Sequence, residues 1–364
     1  MDPRARALEA AAAGLGLEAA WTPLEVDAAE RRAYRAWLAA GRHAGMAYLA
    51  RTQDARLAPR RAFPWARSAL VVAASYAYPD PGPPPGGLRV GRVARYAWTR
   101  DYHLALGAAV GALVRRAHAL GLEARGYVDH GPVAETLFAR RAGLGWIGRN
   151  TLLLAEGRGS YRLLGVVLTP LEVAPGPRAP ERCGRCTACL AACPTGALDA
   201  LGLDARRCLS YWTIEHRGPW PLELWRENAG WLFGCDLCQT ACPWNRFAEE
   251  RPPWPGFSPE PELAHPDLWD FLRLSGRAFA RAYAGTAFLR PGRPGLVRNA
   301  LGVLYSQRHG AFEAYLEAAA ADPSPRVRRA AAQGFFLLGR RRLLDDPDPA
   351  VAAFARRLWE GGGP

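Results

Sequence analysis

The chain has 364 residues, 49% of them hydrophobic, enough to bury substantial cores in two or three domains. Its formal net charge of +13 favours a polyanionic partner, nucleic acid first. All 47 basic residues are arginine, which excludes a Walker lysine and a lysine Schiff base, and with them ordinary P-loop ATPases and pyridoxal enzymes. An arginine-only set also reads as a compositional bias, so arginine abundance alone is no sign of phosphate recognition. No apolar run approaches the roughly 18 residues that a membrane-spanning helix needs. The opening MDPRARALEA carries charges where a signal peptide has its apolar stretch, so a cytoplasmic protein without a membrane partner is expected.

In chain order, the first 175 residues alternate strand-like and helix-like runs. Apolar stretches over 69–76, 126–128, 151–154 and 163–168 read as strands, and longer periodic segments over 104–120 and 132–142 read as helices. The alternation predicts an α/β domain over 1–175, interrupted by the proline- and glycine-rich stretch 79–87. Two motifs in this region fail on inspection. Asp101-Tyr-His103-Leu-Ala-Leu-Gly107 is close to the cobalamin-ligating D-x-H-x-x-G signature but has one residue too many, so His103 is not read as a cobalt ligand. Gly143-Leu-Gly145-Trp-Ile-Gly148 satisfies G-x-G-x-x-G, but a helix precedes it and a strand follows. That reverses the order in which a pyrophosphate meets a helix N-terminus.

Proline-rich stretches at 175–180 and 252–261 bracket the next region, which holds every cysteine. The pattern is Cys183-x2-Cys186-x2-Cys189-x3-Cys193-Pro194, then Cys208, then Cys235-x2-Cys238-x3-Cys242-Pro243. Thiolates two residues apart on a tight turn can grip one cubane, while the cysteine before proline reaches the other cluster in two-cluster ferredoxins. The spacing predicts a ferredoxin-like domain over 176–255 with two 4Fe-4S clusters. Cys183, Cys186, Cys189 and Cys242 fall to the first cluster, and Cys193, Cys208, Cys235 and Cys238 to the second, Cys208 by elimination. A disulfide framework suits short secreted chains. Paired zinc knuckles are the stronger rival, but a third cysteine at the same step plus Cys-Pro is better explained by cubane geometry.

From 256 to 364 the pattern is helical and repetitive. Val297, Val327 and Val351 each follow a proline by two or three residues, and Asp322-Pro and Asp346-Pro introduce the last two units. This predicts a HEAT-like repeat domain. The intervals, 30 and then 24 residues, are shorter than a standard HEAT unit, which keeps an ordinary α-hairpin bundle open as the alternative.

Paired cubanes relay single electrons to a partner or to a second cofactor. A carrier would not need 182 residues ahead of its first cysteine, so an enzyme with a bound cofactor is expected. The strings Arg95-Tyr-Ala-Trp-Thr-Arg-Asp-Tyr-His103, Tyr127-Val-Asp129, Ala142-Gly-Leu-Gly-Trp-Ile-Gly-Arg-Asn150, Asp204-Ala-Arg-Arg-Cys-Leu-Ser-Tyr-Trp-Thr-Ile-Glu215 and Gly234-Cys-Asp-Leu-Cys-Gln-Thr-Ala-Cys-Pro-Trp-Asn245 resemble epoxyqueuosine reductase. The resemblance implies a cobalamin-binding α/β domain, a two-cluster ferredoxin-like domain and a HEAT-like C-terminal domain, in a monomer. It implies the last step of queuosine synthesis, reduction of the epoxide of epoxyqueuosine at the wobble position of tRNA.

Residue by residue, the resemblance makes Asp129 the catalytic proton donor and places cobalamin contacts on Arg56, Asp129, Asn150, Thr151, Ser210, Cys235 and Asp236, with no histidine on cobalt. Asp129 follows the apolar strand end Gly126-Tyr-Val, and burial there would keep its carboxyl protonated. On the residues alone, Asp129 before His130-Gly131-Pro132 is a turn or helix cap and Arg56 a solvated surface arginine. Arg298, Arg328, Arg329 and the run Arg340, Arg341 and Arg342 are expected to hold the anticodon stem, their bland reading being solvated helix ends. The electron donor is not identified by the residues. Rival functions are a related corrinoid reductase acting on a small molecule, a nonenzymatic two-cluster electron-transfer protein, and a zinc-dependent nucleic-acid-binding protein.

Overall fold

The computed structural model describes residues 2–174, 176–248 and 253–361; the expected boundary at 175 and the start of the third proline-rich stretch at 252 lie outside them. Four strands form the main sheet in the order Glu18–Pro23, Ser68–Ser75, Arg162–Thr169, Arg125–Tyr127, with every neighbour antiparallel. Leu70, Val71 and Val72 on one central strand, and Val166, Val167 and Leu168 on the other, are wholly buried. Layers cover both faces, so these strands read as continuous apolar runs instead of alternating ones. The helix Glu135–Arg141 packs on one face through Phe138 and Ala139. The helices Pro3–Gly14 and Tyr102–Ala119 lie on the other face.

One packing detail positions the site described below. A Cβ added at Gly126 would lie 2.4 Å from Val110, and one at Gly165 would lie 2.7 Å from it. The bare backbone there lets the helix Tyr102–Ala119 press close onto the sheet. Its N-terminus therefore stands beside the end of the strand Arg125–Tyr127, where Asp129 emerges.

Two local expectations are corrected. The helix expected from 132 begins at Glu135, which leaves the Gly131 and Val133 carbonyls to accept hydrogen bonds from Arg56. The strand expected over 151–154 contracts to Leu153–Leu154, paired with Trp146–Ile147. In that hairpin a Cβ on Gly145 would sit 2.1 Å from the Leu154 carbonyl, so the glycines serve a tight turn and not a dinucleotide. The helices Pro3–Gly14 and Ala28–Ala39 and the strand Glu18–Pro23 were not read from the sequence: Pro3–Gly14 is alanine-rich with little hydrophobic contrast, whereas Ala28–Ala39 carried a signal that was passed over, the capping box of Asp27 and Glu30.

The cysteine region contains the short helices Ala188–Ala191 and Leu237–Thr240, which contact each other. Its strand Trp231–Phe233 pairs in parallel with Arg92–Val93, stitching this region to the α/β part. Toward the C-terminus the helices Gly292–Ser306, Phe312–Ala320, Pro325–Leu337 and Pro349–Trp359 pack on one another, with Val297, Val327 and Val351 wholly buried. Asp322 and Asp346 stand just ahead of the last two helices, whose N-cap residues are Ser324 and Asp348. Asp322 and Asp346 pair with Arg293 and Arg328, while Asp348 caps the last helix through the Ala350 N–H at 2.8 Å. The largest core is one connected cluster that takes in residues from Ala5 to Phe335. Among the described residues no helix is long and apolar enough to cross a membrane.

Candidate active site and cluster sites

Cys183, Cys186, Cys189 and Cys242 line one cavity of about 220 Å³, with Asn150 and Trp244 on its wall. The crossed cysteine from the second motif thus joins the three from the first. The remaining four also gather: Cys208 and Cys193 lie close enough to influence Cys238, and Cys208 and Cys238 influence Cys235. Burial pushes the Cys235 thiol well up and the Cys238 thiol to about 12, and the neighbouring thiols add to both shifts. Such groups ionise only when a cation compensates them, as iron does in a cluster. The thiols ring a space instead of converging on a point. Among the described residues no three His, Cys, Asp or Glu side chains group tightly enough for a single ion.

A second, larger cavity of about 680 Å³ opens between the α/β part and the C-terminal helices. Tyr48, Tyr96, Tyr102 and Phe233 give it aromatic walls, and Arg56, His103, Asp129, Glu215 and Arg290 supply its charges. Two short segments connect it to the buried thiols. Cys208 caps the helix Leu209–Ile214, whose far end, Ile214 and Glu215, lines the cavity. Cys235 lies two residues beyond Phe233, another lining residue.

Asp129 sits on this cavity, but its burial was misjudged. Its side chain is 70% exposed. Hydrogen bonding defines it instead: the Tyr102 hydroxyl donates to Oδ2 at 2.8 Å, and His103 Nε2 lies 3.8 Å from the same oxygen. Its backbone is left-handed, with φ of 58°, a conformation aspartate tolerates better than most residues. The Asp129 N–H is directed at Glu135, whose pKa burial raises to about 7. Arg56 is no surface arginine. It is 8% exposed and donates to Val133 O at 2.5 Å, Gly131 O at 2.9 Å and Thr52 Oγ1 at 2.9 Å, clamping the loop that carries Asp129.

The other expected cofactor contacts lie off this cavity, toward the thiols. Asn150 lines the cluster cavity and donates to Cys238 O at 3.4 Å, and Thr151 beside it has φ of 65°. Ser210 directs its N–H at Cys208. Asp236 is buried with both oxygens occupied: Oδ2 accepts from the Arg95 N–H at 2.7 Å and Oδ1 from Gln239 Nε2 at 2.8 Å.

The arginine expectations divide sharply. Arg298 is 3% exposed and donates to the carbonyls of Trp212, His216 and Gly218 and to Asn299 Oδ1, so it is unavailable to a phosphate. Arg328 is consumed by a two-pronged pair with Asp346 at 2.7 and 2.9 Å. Arg340 and Arg342 reach Glu313 and Glu317 at the surface, and Arg341 stands over Trp359. Arg329 instead lines a shallow groove with Arg217 and Arg326, and among the described residues none of these three pairs with a carboxylate. Arg217 and Arg326 were missed. The signal for Arg326 lay in Pro325-Arg-Val-Arg-Arg329: arginines three apart at the start of a helix share a face, where the helix dipole disfavours cations.

Two sets of four thiols joined by short segments to a cavity bearing a carboxyl and an imidazole define an iron-sulfur oxidoreductase. The model of the 4Fe-4S double cluster binding domain matches residues 182–245, and that of Epoxyqueuosine reductase QueG matches residues 56–130. An epoxyqueuosine reductase of Gloeobacter violaceus is 39% identical over 318 residues, covering 84% of this chain and 97% of the relative, and the Escherichia coli one is 35% identical over 274 residues, 73% and 71%. A crystal structure of epoxyqueuosine reductase with an epoxyqueuosine-modified tRNA stem loop superposes with a TM-score of 0.86 at 26% identity over 98% of both chains. A Bacillus subtilis structure, its catalytic aspartate loop swung out of the active site, superposes with a TM-score of 0.84 at 26% identity, also over 98% of both. The chain belongs to the epoxyqueuosine reductase family.

Proposed function

We propose that the protein reduces the epoxide of epoxyqueuosine at the wobble position of tRNA to the alkene of queuosine, using cobalamin and two 4Fe-4S clusters. One observation carries the reading: the cavity that presents Asp129 shares its wall, through Phe233 and Ile214, with the segments that hold Cys235 and Cys208. On this reading residues 1–175 form the cobalamin-binding α/β domain, 176–255 the ferredoxin-like domain with the thiol sets described above, and 256–364 a HEAT-like domain that meets tRNA. The aromatic walls and the volume of about 680 Å³ suit a large flat ring. Arg56, which lines this cavity, and the Asn150-Thr151 turn, Ser210 and the backbone of Cys235-Asp236, which lie off it toward the thiols, are the residues that would contact the cofactor.

Cobalamin, when bound, supplies electrons at cobalt to the substrate, and the clusters resupply them one at a time. The chain's own side chains do the rest. Arg56 and Glu135 hold the 129–133 loop, Tyr102 orients Asp129 Oδ2, and Asp129 protonates the departing oxygen. The wobble base, poorly stacked in its loop, enters the cavity at a cost of only a few kcal/mol. The solved relative with a modified tRNA stem loop supports the choice of substrate, and the swung-out loop of the Bacillus subtilis enzyme supports a mobile acid.

Purified without oxygen and reconstituted, the protein should carry about eight irons per chain and convert epoxyqueuosine in tRNA. A colourless zinc protein, or one inert toward that tRNA, overturns the reading. The groove gives a separate expectation. Changing Arg326 and Arg329 together to glutamine should weaken binding of an anticodon stem-loop RNA about tenfold and flatten its salt dependence by about two units of log-log slope, about one per arginine. The control Arg356→Gln, whose side chain pairs with Asp345, should bind like the parent.

A further inference from the structure

The Asp101-Tyr102-His103 motif, out of register for a cobalt ligand, is built into the cavity in another way. Asp101 caps the helix Tyr102–Ala119, and its Oδ1 accepts both the His103 backbone N–H at 3.0 Å and His103 Nδ1 at 2.7 Å. An ionised carboxylate only accepts, so Nδ1 carries the hydrogen and Nε2 is the nitrogen turned toward Asp129 Oδ2, 3.8 Å away. The Tyr102 ring stacks on the imidazole at 4.2 Å between centroids and holds it in that orientation.

We propose that the Asp101–His103 pair stores the second proton of the reaction and reloads Asp129 through His103 Nε2. This rests on the reading of Asp129 as donor. Converting an epoxide to an alkene breaks both C–O bonds, forms C=C and releases water, consuming two electrons and two protons. The electrons arrive through the corrinoid and clusters of the proposed reaction. One proton goes from Asp129 to the ring oxygen as the first C–O bond breaks, leaving a hydroxyl. The second must reach that hydroxyl as it leaves as water, and Asp129 has only one to give. A base filling the cavity shuts out bulk water, so the reload must come from inside.

His103 is suited to this by everything that faces it. The hydrogen bond to Asp101 raises its pKa above the ordinary histidine value; burial opposes this, the Asp101 and Asp129 charges add to it, and Arg290 across the cavity subtracts. The His130 ring lies 6.0 Å away. Tyr102 cannot substitute, because burial and then the Asp129 charge drive its hydroxyl pKa far above the usual phenol. Tyr102 therefore orients Asp129 and does not supply protons.

The test uses the loaded enzyme and steady-state turnover of epoxyqueuosine tRNA with a chemical reductant. With the parent, turnover should fall as pH rises through the histidine's raised pKa. His103→Gln should keep iron content, corrin absorption and KM for RNA, lower kcat about a hundredfold at neutral pH, lose that alkaline limb, and recover rate on adding imidazole. Asp101→Asn should move the limb to lower pH, because the imidazole loses the anion that held its proton. A His103→Gln enzyme with the parent's kcat and pH profile would overturn the proposal, as would loss of rate that imidazole does not restore. Undiminished turnover by Asp129→Asn sinks the donor reading itself, whereas an inactive Asp129→Asn beside an unchanged His103→Gln sinks only the relay.

Discussion

Asp129→Asn is expected to lower turnover by about 10²- to 10⁴-fold while fold, iron content and RNA affinity stay as they are. The substitution isolates the proton. Asparagine accepts the left-handed backbone that φ of 58° imposes, where a β-branched or bulky residue would strain the loop. It keeps an acceptor for the Tyr102 hydroxyl, and the side chain is too exposed for its replacement to open a cavity. The Arg56 bonds to Gly131 and Val133, and the Asp129 N–H directed at Glu135, are made by backbone and neighbours and survive the change. Single-turnover conversion of epoxyqueuosine tRNA by the reduced enzyme, measured beside stem-loop affinity, separates the two effects. Parental turnover would remove Asp129 from its role, and loss of both turnover and affinity would make it a binding residue.

What could be read in the chain beforehand follows how local each feature is. The thiol sets were legible because short turns fix most of the ligands of one cluster, and only Cys242 in the first set and Cys193 and Cys208 in the second arrive from elsewhere. The environment of Asp129 was not. Its exposure depends on a cavity whose far walls come from Ile214, Glu215 and Arg290, and its hydrogen bond on a helix start that two glycines draw onto the sheet. Apolar runs announced the central strands but not their antiparallel order, since runs buried on both faces look alike in either arrangement. The arginines show the same limit at single-residue scale. Arg328 and Arg329 are adjacent in the chain, yet one is spent on Asp346 and the other faces the groove with Arg326. Helical phase distinguishes them. Knowing that Asp346 folds back to meet Arg328 requires the tertiary structure.

Arg298→Met should destabilise the protein by about 4 kcal/mol and leave direct phosphate contacts untouched, the reverse of what its place in an arginine-rich helix suggests. Burial, helped by the nearby Arg326 and Arg217 charges, pulls its pKa down to about 9, so it remains a cation at neutral pH. That charge is held by three carbonyls and one amide oxygen and lies over the Trp220 ring at 5.1 Å. Methionine fills the stem's volume but strands the His216 and Gly218 carbonyls and Asn299 Oδ1, while Trp212 O keeps the Trp220 indole N–H at 3.2 Å; each buried unsatisfied group costs about 1–3 kcal/mol. The carbonyls belong to Trp212, His216 and Gly218, the segment whose Ile214 and Glu215 line the cavity and whose Arg217 lines the groove. Native-state proteolysis should therefore show cleavage opening first within 212–218, with stem-loop affinity falling only as that segment loosens. Stability like the parent's, together with an RNA salt slope reduced by about one, would instead make Arg298 a direct phosphate ligand and show that the buried anchor had been misread.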